Sequence, residues 1–247
     1  MRSTDLDHHV RWLALGLVGA IVLATIANLA ACGASEAAPE PRRPVQLATV
    51  TDALCATHGV AKVGAPVTEP TVRAYARGAG GDAAELAIVY RGETEAQRAL
   101  ASGPARRQLG LKLRARNGCN VVYVMWRLDP RPKLEVSVKL NPGAKDHEDC
   151  GADGYTKVKP TKAWPLPDLV AGDRHDLRAV IAGDELTAWI DDSVVWRGRL
   201  PSGARTLEGP AGLRSDNLAF DLVAFKAPAG DLANAPACKR EKGAPSS

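Results

Sequence analysis

The chain has 247 residues, an ordinary hydrophobic share and a formal net charge of +4, enough for one large domain or two small ones. Lysines and arginines are scattered among acids rather than gathered on one stripe, so composition gives no support to nucleic acid as a partner.

Residues 12–35 carry no charged side chain, and Trp12 to Ala31 is almost wholly apolar, long enough to cross a bilayer. Arg2 and Arg11 precede this run, and small residues and Cys32 close it. A charged start, an apolar middle and small residues at the cut are the order of a secretory signal. The closing Leu29-Ala30-Ala31-Cys32 resembles the bacterial lipobox, in which a lipid is joined to the cysteine and the peptide is cut before it. Two or more acyl chains, at about 0.8 kcal/mol per buried CH₂, hold a protein stably on a membrane. An uncleaved anchor is the alternative, and either reading puts residues beyond 40 outside the cytoplasm. Gly33, where Asp would mark retention, resembles the choice that accompanies outer-membrane sorting. The expected organisation is a signal peptide over 1–31, lipidated Cys32 with a flexible linker to 45, a folded domain over 46–227 and a mostly disordered tail over 228–247. Three prolines and small polar residues in 33–45 cannot build a core.

With Cys32 lipidated, Cys55, Cys119, Cys150 and Cys238 remain. An even remainder in an oxidising compartment predicts disulfides. Of the three connectivities, Cys119–Cys150 closes a loop around a hairpin and Cys55–Cys238 staples the two ends of the domain, so these are favoured. Some of the thiols staying free and buried is the alternative. No CxxC occurs, so thioredoxin-like and zinc-ribbon chemistry lack support.

The body reads as mostly β. Gln46 to Thr68 is ambiguous. Ala84 to Ala101 carries a weak helical signal, with Glu95 to Leu100 a short helix or a loop. Leu109 to Ala115 and Leu134 to Leu140 alternate apolar and polar residues, the period of a strand with one wet face. Asn120 to Trp126 is apolar on both faces, as a central strand would be, and Asn117-Gly118 suits the hairpin before it. Asp129-Pro130-Arg131-Pro132 breaks that strand. Asp176 to Ile181 and Glu185 to Ile190 flank Gly183-Asp184 as another hairpin. Asp191-Asp192-Ser193 and Ser215-Asp216-Asn217 read as turns, the second before a final strand from Leu218 to Ala224. Many short strands with frequent turns predict a sandwich or jelly roll.

The run from His175 to Asp192, then Val195-Trp196-Arg197-Gly198, then Gly209 to Asn217 with its Gly-Leu-Arg, resembles the C-terminal half of concanavalin A-like (laminin-G-like) jelly rolls. The likeness covers 175–225 and, loosely, 107–140. It implies an all-β sandwich of two antiparallel sheets with one concave face. Laminarinase-type glucanases of this fold carry Glu-x-Asp-x-x-Glu on a strand. Here Glu135-Val136-Ser137 and Glu185-Leu186-Thr187 begin that pattern and fail at the second acid, which disfavours a hydrolase.

Sugar recognition uses aromatic faces beside polar groups. The candidates are Tyr123, Trp126, Arg127, Glu135, Lys139, Asn141, Tyr155 and Trp164; Tyr123, Met125 and Arg127 share one face by alternation, a mixture unusual for pure core. Trp126 also suits the core of a sandwich. Asp146 and Glu148, in the acidic run before Cys150, are the oxygen donors a Ca²⁺ ion would use, although a solvated loop is the preferred reading. No cofactor is expected. The expectation is a lipid-anchored envelope protein whose sandwich binds a carbohydrate or envelope partner without catalysis. A saccharide-acting hydrolase and a structural or protein-interaction module are the alternatives.

Overall fold

A computed structural model describes residues 45–50, 54–100 and 102–230. Residues 1–31, expected as a signal peptide, Cys32 and Cys238 lie outside these, as do the expectations that fall on them. The strands in chain order are β1 (Ala48–Thr49), β2 (Leu54–His58), β3 (Ala65–Val67), β4 (Thr71–Ala76), β5 (Ala83–Glu93), β6 (Gln108–Leu113), β7 (Val121–Arg127) and β8 (Lys133–Lys139). A short helix α1 (His147–Cys150) follows, then β9 (Tyr155–Val158), β10 (Lys162–Ala163), β11 (Arg174–Ala182), β12 (Glu185–Ile190), β13 (Ser193–Arg199), β14 (Gly212–Asp216) and β15 (Leu218–Ala227).

They pair antiparallel into two sheets. One, of eight strands, runs β1-β15-β5-β11-β12-β13-β10, with β3 also on β15; the other, of seven, runs β2-β4-β14-β6-β7-β8-β9. This is the two-sheet, concanavalin A-like jelly-roll sandwich that the sequence predicts. Alternation decides which side chains meet between the sheets. From the seven-stranded sheet come Val72, Ala74, Leu109, Leu111, Leu113, Val122, Val124, Trp126, Val136, Val138 and Leu213; Leu86, Ile88, Leu177, Leu186, Ile190, Phe220 and Phe225 answer from the other.

Two local readings are corrected. The segment from Ala84 is no helix: β5 runs through it as an inner strand between β15 and β11, and Thr94 to Leu100 form a loop. Packing of Ala84, Leu86 and Ile88 into the core overrides their local helical preference. The turn before β15 is narrower than expected, because Ser215 and Asp216 are still paired in β14 and only Asn217 turns, at φ 58°. Asn tolerates that conformation. Its fully buried amide holds the adjoining loop, donating to Arg98 O (2.9 Å) and Arg106 O (3.0 Å), while its Oδ1 accepts from Arg98 N (2.7 Å). The Asp191-Asp192 turn is as expected, both residues at positive φ.

Cys119 and Cys150 are bonded, with Cα atoms 5.9 Å apart. Cys55 is also disulfide-bonded; Cys238, the partner expected for it, lies outside the described residues. Chain pairing continues past Ala227 through an Ala79–Ala229 bridge.

Candidate functional site

The outer face of the seven-stranded sheet is also buried: every residue of β6 and β7 is covered on both sides. The loop over 94–107 and the segment over 141–154 rise beside this face and wall a cleft of about 1070 Å³. Its floor can be read row by row from the strand registers. One row runs Tyr75, Gly212, Lys112, Tyr123, Ser137 and Lys157 across β4, β14, β6, β7, β8 and β9. The next runs Arg73, Arg214, Gly110, Met125 and Glu135. The row beyond holds Asp216, Gln108, Arg127 and Lys133.

Gly212 and Gly110 stand in these rows where the neighbouring backbone leaves no room for a side chain. A Cβ on Gly212 would lie 2.2 Å from Ala74 O, and one on Gly110 2.0 Å from Val124 O, so only glycine fits. Around them aromatic rings and cations alternate. Tyr123 and Tyr155 stack at 6.0 Å between centroids. Lys112 Nζ sits 3.7 Å above the Tyr75 ring, Arg214 lies 5.1 Å from the Tyr123 centroid and Lys139 Nζ 5.1 Å from that of Tyr155.

One carboxylate serves two guanidiniums here. Asp216, 1% exposed, accepts from Arg214 Nε at 2.8 Å, from Arg73 Nη2, and from Gln108 Nε2 at 2.6 Å. Burial alone would lift the Asp216 carboxyl, but Arg214, Arg73 and Gln108 outweigh it and hold it below the usual carboxylate range. Glu135 behaves likewise: burial pushes it up, and Lys133, Arg127 and Lys157 bring it down further. Its oxygen Oε2 accepts from Arg127 at 2.7 Å and Lys133 at 2.9 Å. Both acids are therefore held ionised against the cations beside them. Burial pushes the Tyr123 hydroxyl up to about 12, so it stays a neutral donor and acceptor at any physiological pH.

The structure gathers some of the sequence candidates and separates others. Tyr123, Glu135 and Tyr155 line the cleft. Arg127 lies at its margin, paired to Glu135. Lys139 is fully buried beneath the wall and donates to Gly151 O at 2.6 Å and Cys150 Sγ at 3.0 Å, so it secures the disulfide loop. Trp126 does not enter the cleft, because its side chain alternates to the core face, where it meets His175 edge-on at 5.3 Å. Asn141 ties Cys119 O and Asp153 O together as a loop clasp. Trp164 belongs to the other sheet, just past the edge strand β10, with its N–H on Val195 O and Lys162 over its ring. Asp146 and Glu148 stand in the wall; among the described residues no group of three metal-ligating side chains forms. Arg73, Tyr75, Lys112, Arg214 and Asp216 were not predicted. The alternation of β6 put Lys112 on one face with Gln108, but nothing local places β4 and β14 beside it.

Fold and site together define a jelly-roll sandwich with a walled, ring-lined and strongly basic cleft on its seven-stranded sheet. No family model and no curated protein matches the chain. Among solved structures, the carbohydrate-binding module CBM66 from Bacillus subtilis is similar at 12% identity and a TM-score of 0.44, over 74% of this chain and 99% of that one. A tetrameric galectin from the sponge Cinachyrella sp. is similar at 15% identity and TM-score 0.38, over 64% and 99%. A Crh5 transglycosylase in its apo form is similar at 16% identity and TM-score 0.41, over 77% and 86%.

Proposed function

We propose that this chain is a cell-envelope protein, cut after Ala31 and lipid-anchored through Cys32, whose sandwich binds a glycan in the cleft without turning it over. Gly33, where Asp would mark retention, supports sorting to the outer membrane. The single observation that carries the binding reading is the stacked pair Tyr123 and Tyr155 set among charged donors in a cleft of about 1070 Å³. That space is at the upper end for small-molecule sites, about 300–1,000 Å³, and suits a short run of sugar units. Sugar C–H faces pack on rings while hydroxyls take the polar groups between them. Tyr155, 42% exposed, is the ring a ligand reaches first.

The test is a glycan array probed with the processed chain purified from membranes in detergent. Reproducible hits that weaken about tenfold in Tyr155→Ala support the reading. Silence across the array would leave a structural or protein-interaction module in its place, and release of reducing sugar would reinstate a hydrolase. For the anchor, Cys32→Ala leaves unlipidated precursor; unchanged acyl labelling in that variant refutes it.

A further inference from the structure

The cleft is short of negative charge. Seven lysines and arginines line it against three carboxylates, Glu135, Asp146 and Glu148, and Glu135 is already taken by Arg127 and Lys133. At its centre the imbalance is sharper. Arg73 and Arg214 stand directly opposite each other across β4 and β14, an arrangement that like charges on a sheet disfavour. Both draw on the one Asp216. Lys112, one strand further, has a buried side chain, 2% exposed as a whole residue; its ammonium rests on the Tyr75 ring and makes no ion pair with a described residue. Burial and the two guanidiniums push its pKa well below that of an ordinary lysine, with Asp216 opposing. A buried cation without an ion-pair partner of its own costs stability, and Lys112, Arg73 and Arg214 all line the one cleft. The side of the cleft that these three cations line is where a counter-ion would sit.

We propose that the ligand is an acidic glycan, with an anionic substituent seated against Lys112, Arg73 and Arg214 in the cleft and the sugar ring beside it stacked on Tyr155. This rests on the glycan-binding reading above. A uronate carboxylate, a sulfate ester and a phosphate ester share the required chemistry: oxygen acceptors carrying full charge, which guanidiniums can bind in a bidentate manner.

The experiment compares matched polymers on the same purified chain. Polygalacturonate is set against its fully methyl-esterified form, dextran sulfate against dextran, and phosphomannan against mannan, with polyglutamate as a polyanion that is not a sugar. At low ionic strength at least one acidic member binds ten times or more tighter than its neutral parent, and that member identifies the anionic group. Lys112→Met removes the advantage; Arg199→Gln, an exposed cation of β13 on the other sheet, keeps it. Equal binding of acidic and neutral partners overturns the proposal but leaves glycan binding standing. No binding of any saccharide removes both. Equal binding of polyglutamate, or loss of the advantage in Arg199→Gln, reduces the effect to diffuse attraction and also overturns the proposal. Should Lys112→Met not fold, a salt series decides: affinity for the acidic member alone must fall as salt rises, and parallel curves for both members refute it.

Discussion

Replacing Lys112 with methionine should stabilise the unliganded protein. Met matches the length of the lysine stem and needs no counter-charge. The ammonium is buried near two guanidiniums, and the one carboxylate close by, Asp216, is paired to them rather than to it. Taking such a group from water costs several kcal/mol, against which a desolvated cation–ring contact like that with Tyr75 returns about 2 kcal/mol. The net gain on substitution is about 1–3 kcal/mol. At about 2–4 °C per kcal/mol for a domain of this size, Tm rises by about 2–12 °C at pH 7. The pH dependence distinguishes this cause from better packing. The folded-state pKa of Lys112 lies well below the ordinary lysine value of 10.5, so between the two values the unfolded chain binds more protons and wild-type stability rises with pH. Thermal unfolding of both proteins from pH 7 to pH 10 should therefore show a gap that narrows as pH climbs. A wild type more stable than the variant at pH 7, or a gap that stays constant over this range, would refute the reasoning.

Asp216→Asn leaves Arg73 and Arg214 buried without their shared carboxylate and should cost about 3–5 kcal/mol in denaturant unfolding. Because the folded-state pKa of Asp216 is depressed, its stabilisation is complete above its unfolded value near pH 4 and is lost as pH falls through the folded value; an acid titration of wild type and variant should converge there. Asn217→Ala strains a positive-φ turn and strands two backbone carbonyls and one N–H, for a loss of about 2–4 kcal/mol, and Asn217→Gly should recover only the part due to strain. Opening Cys119–Cys150, whose sequence separation is 31, removes about 3–4 kcal/mol by loop entropy, measured by comparing denaturation midpoints with the Cys119→Ala/Cys150→Ala variant.

Much of this fold is legible in short-range pattern. The period-two runs around Leu111 and Val136 and the hairpin over 174–190 are strands within a residue or two of where alternation puts them. The failures have a common physical origin. β5 is rich in alanine and charged residues and looks helical by itself; only its position between two other strands makes it β. The site fails the same way. Tyr123, Glu135 and Tyr155 lie on consecutive strands of one meander, β7-β8-β9, so local reasoning could group them. Arg73, Lys112 and Arg214 come from distant parts of the chain and meet because β14 inserts between β4 and β6. Residue 214 was legible only as part of a fold-marking Gly-Leu-Arg, with no hint that its guanidinium faces a cavity. Trp126 shows the opposite error: a ring beside two good candidates, turned to the other side of the sheet by a single step along the strand.

The pairing of Ala48 with Ala227 has a practical corollary. The polypeptide comes in and goes out at neighbouring points on one border of the eight-stranded layer, the layer that takes no part in forming the cleft. An affinity tag or a sensor chip joined at either of these points attaches to the layer opposite the cleft.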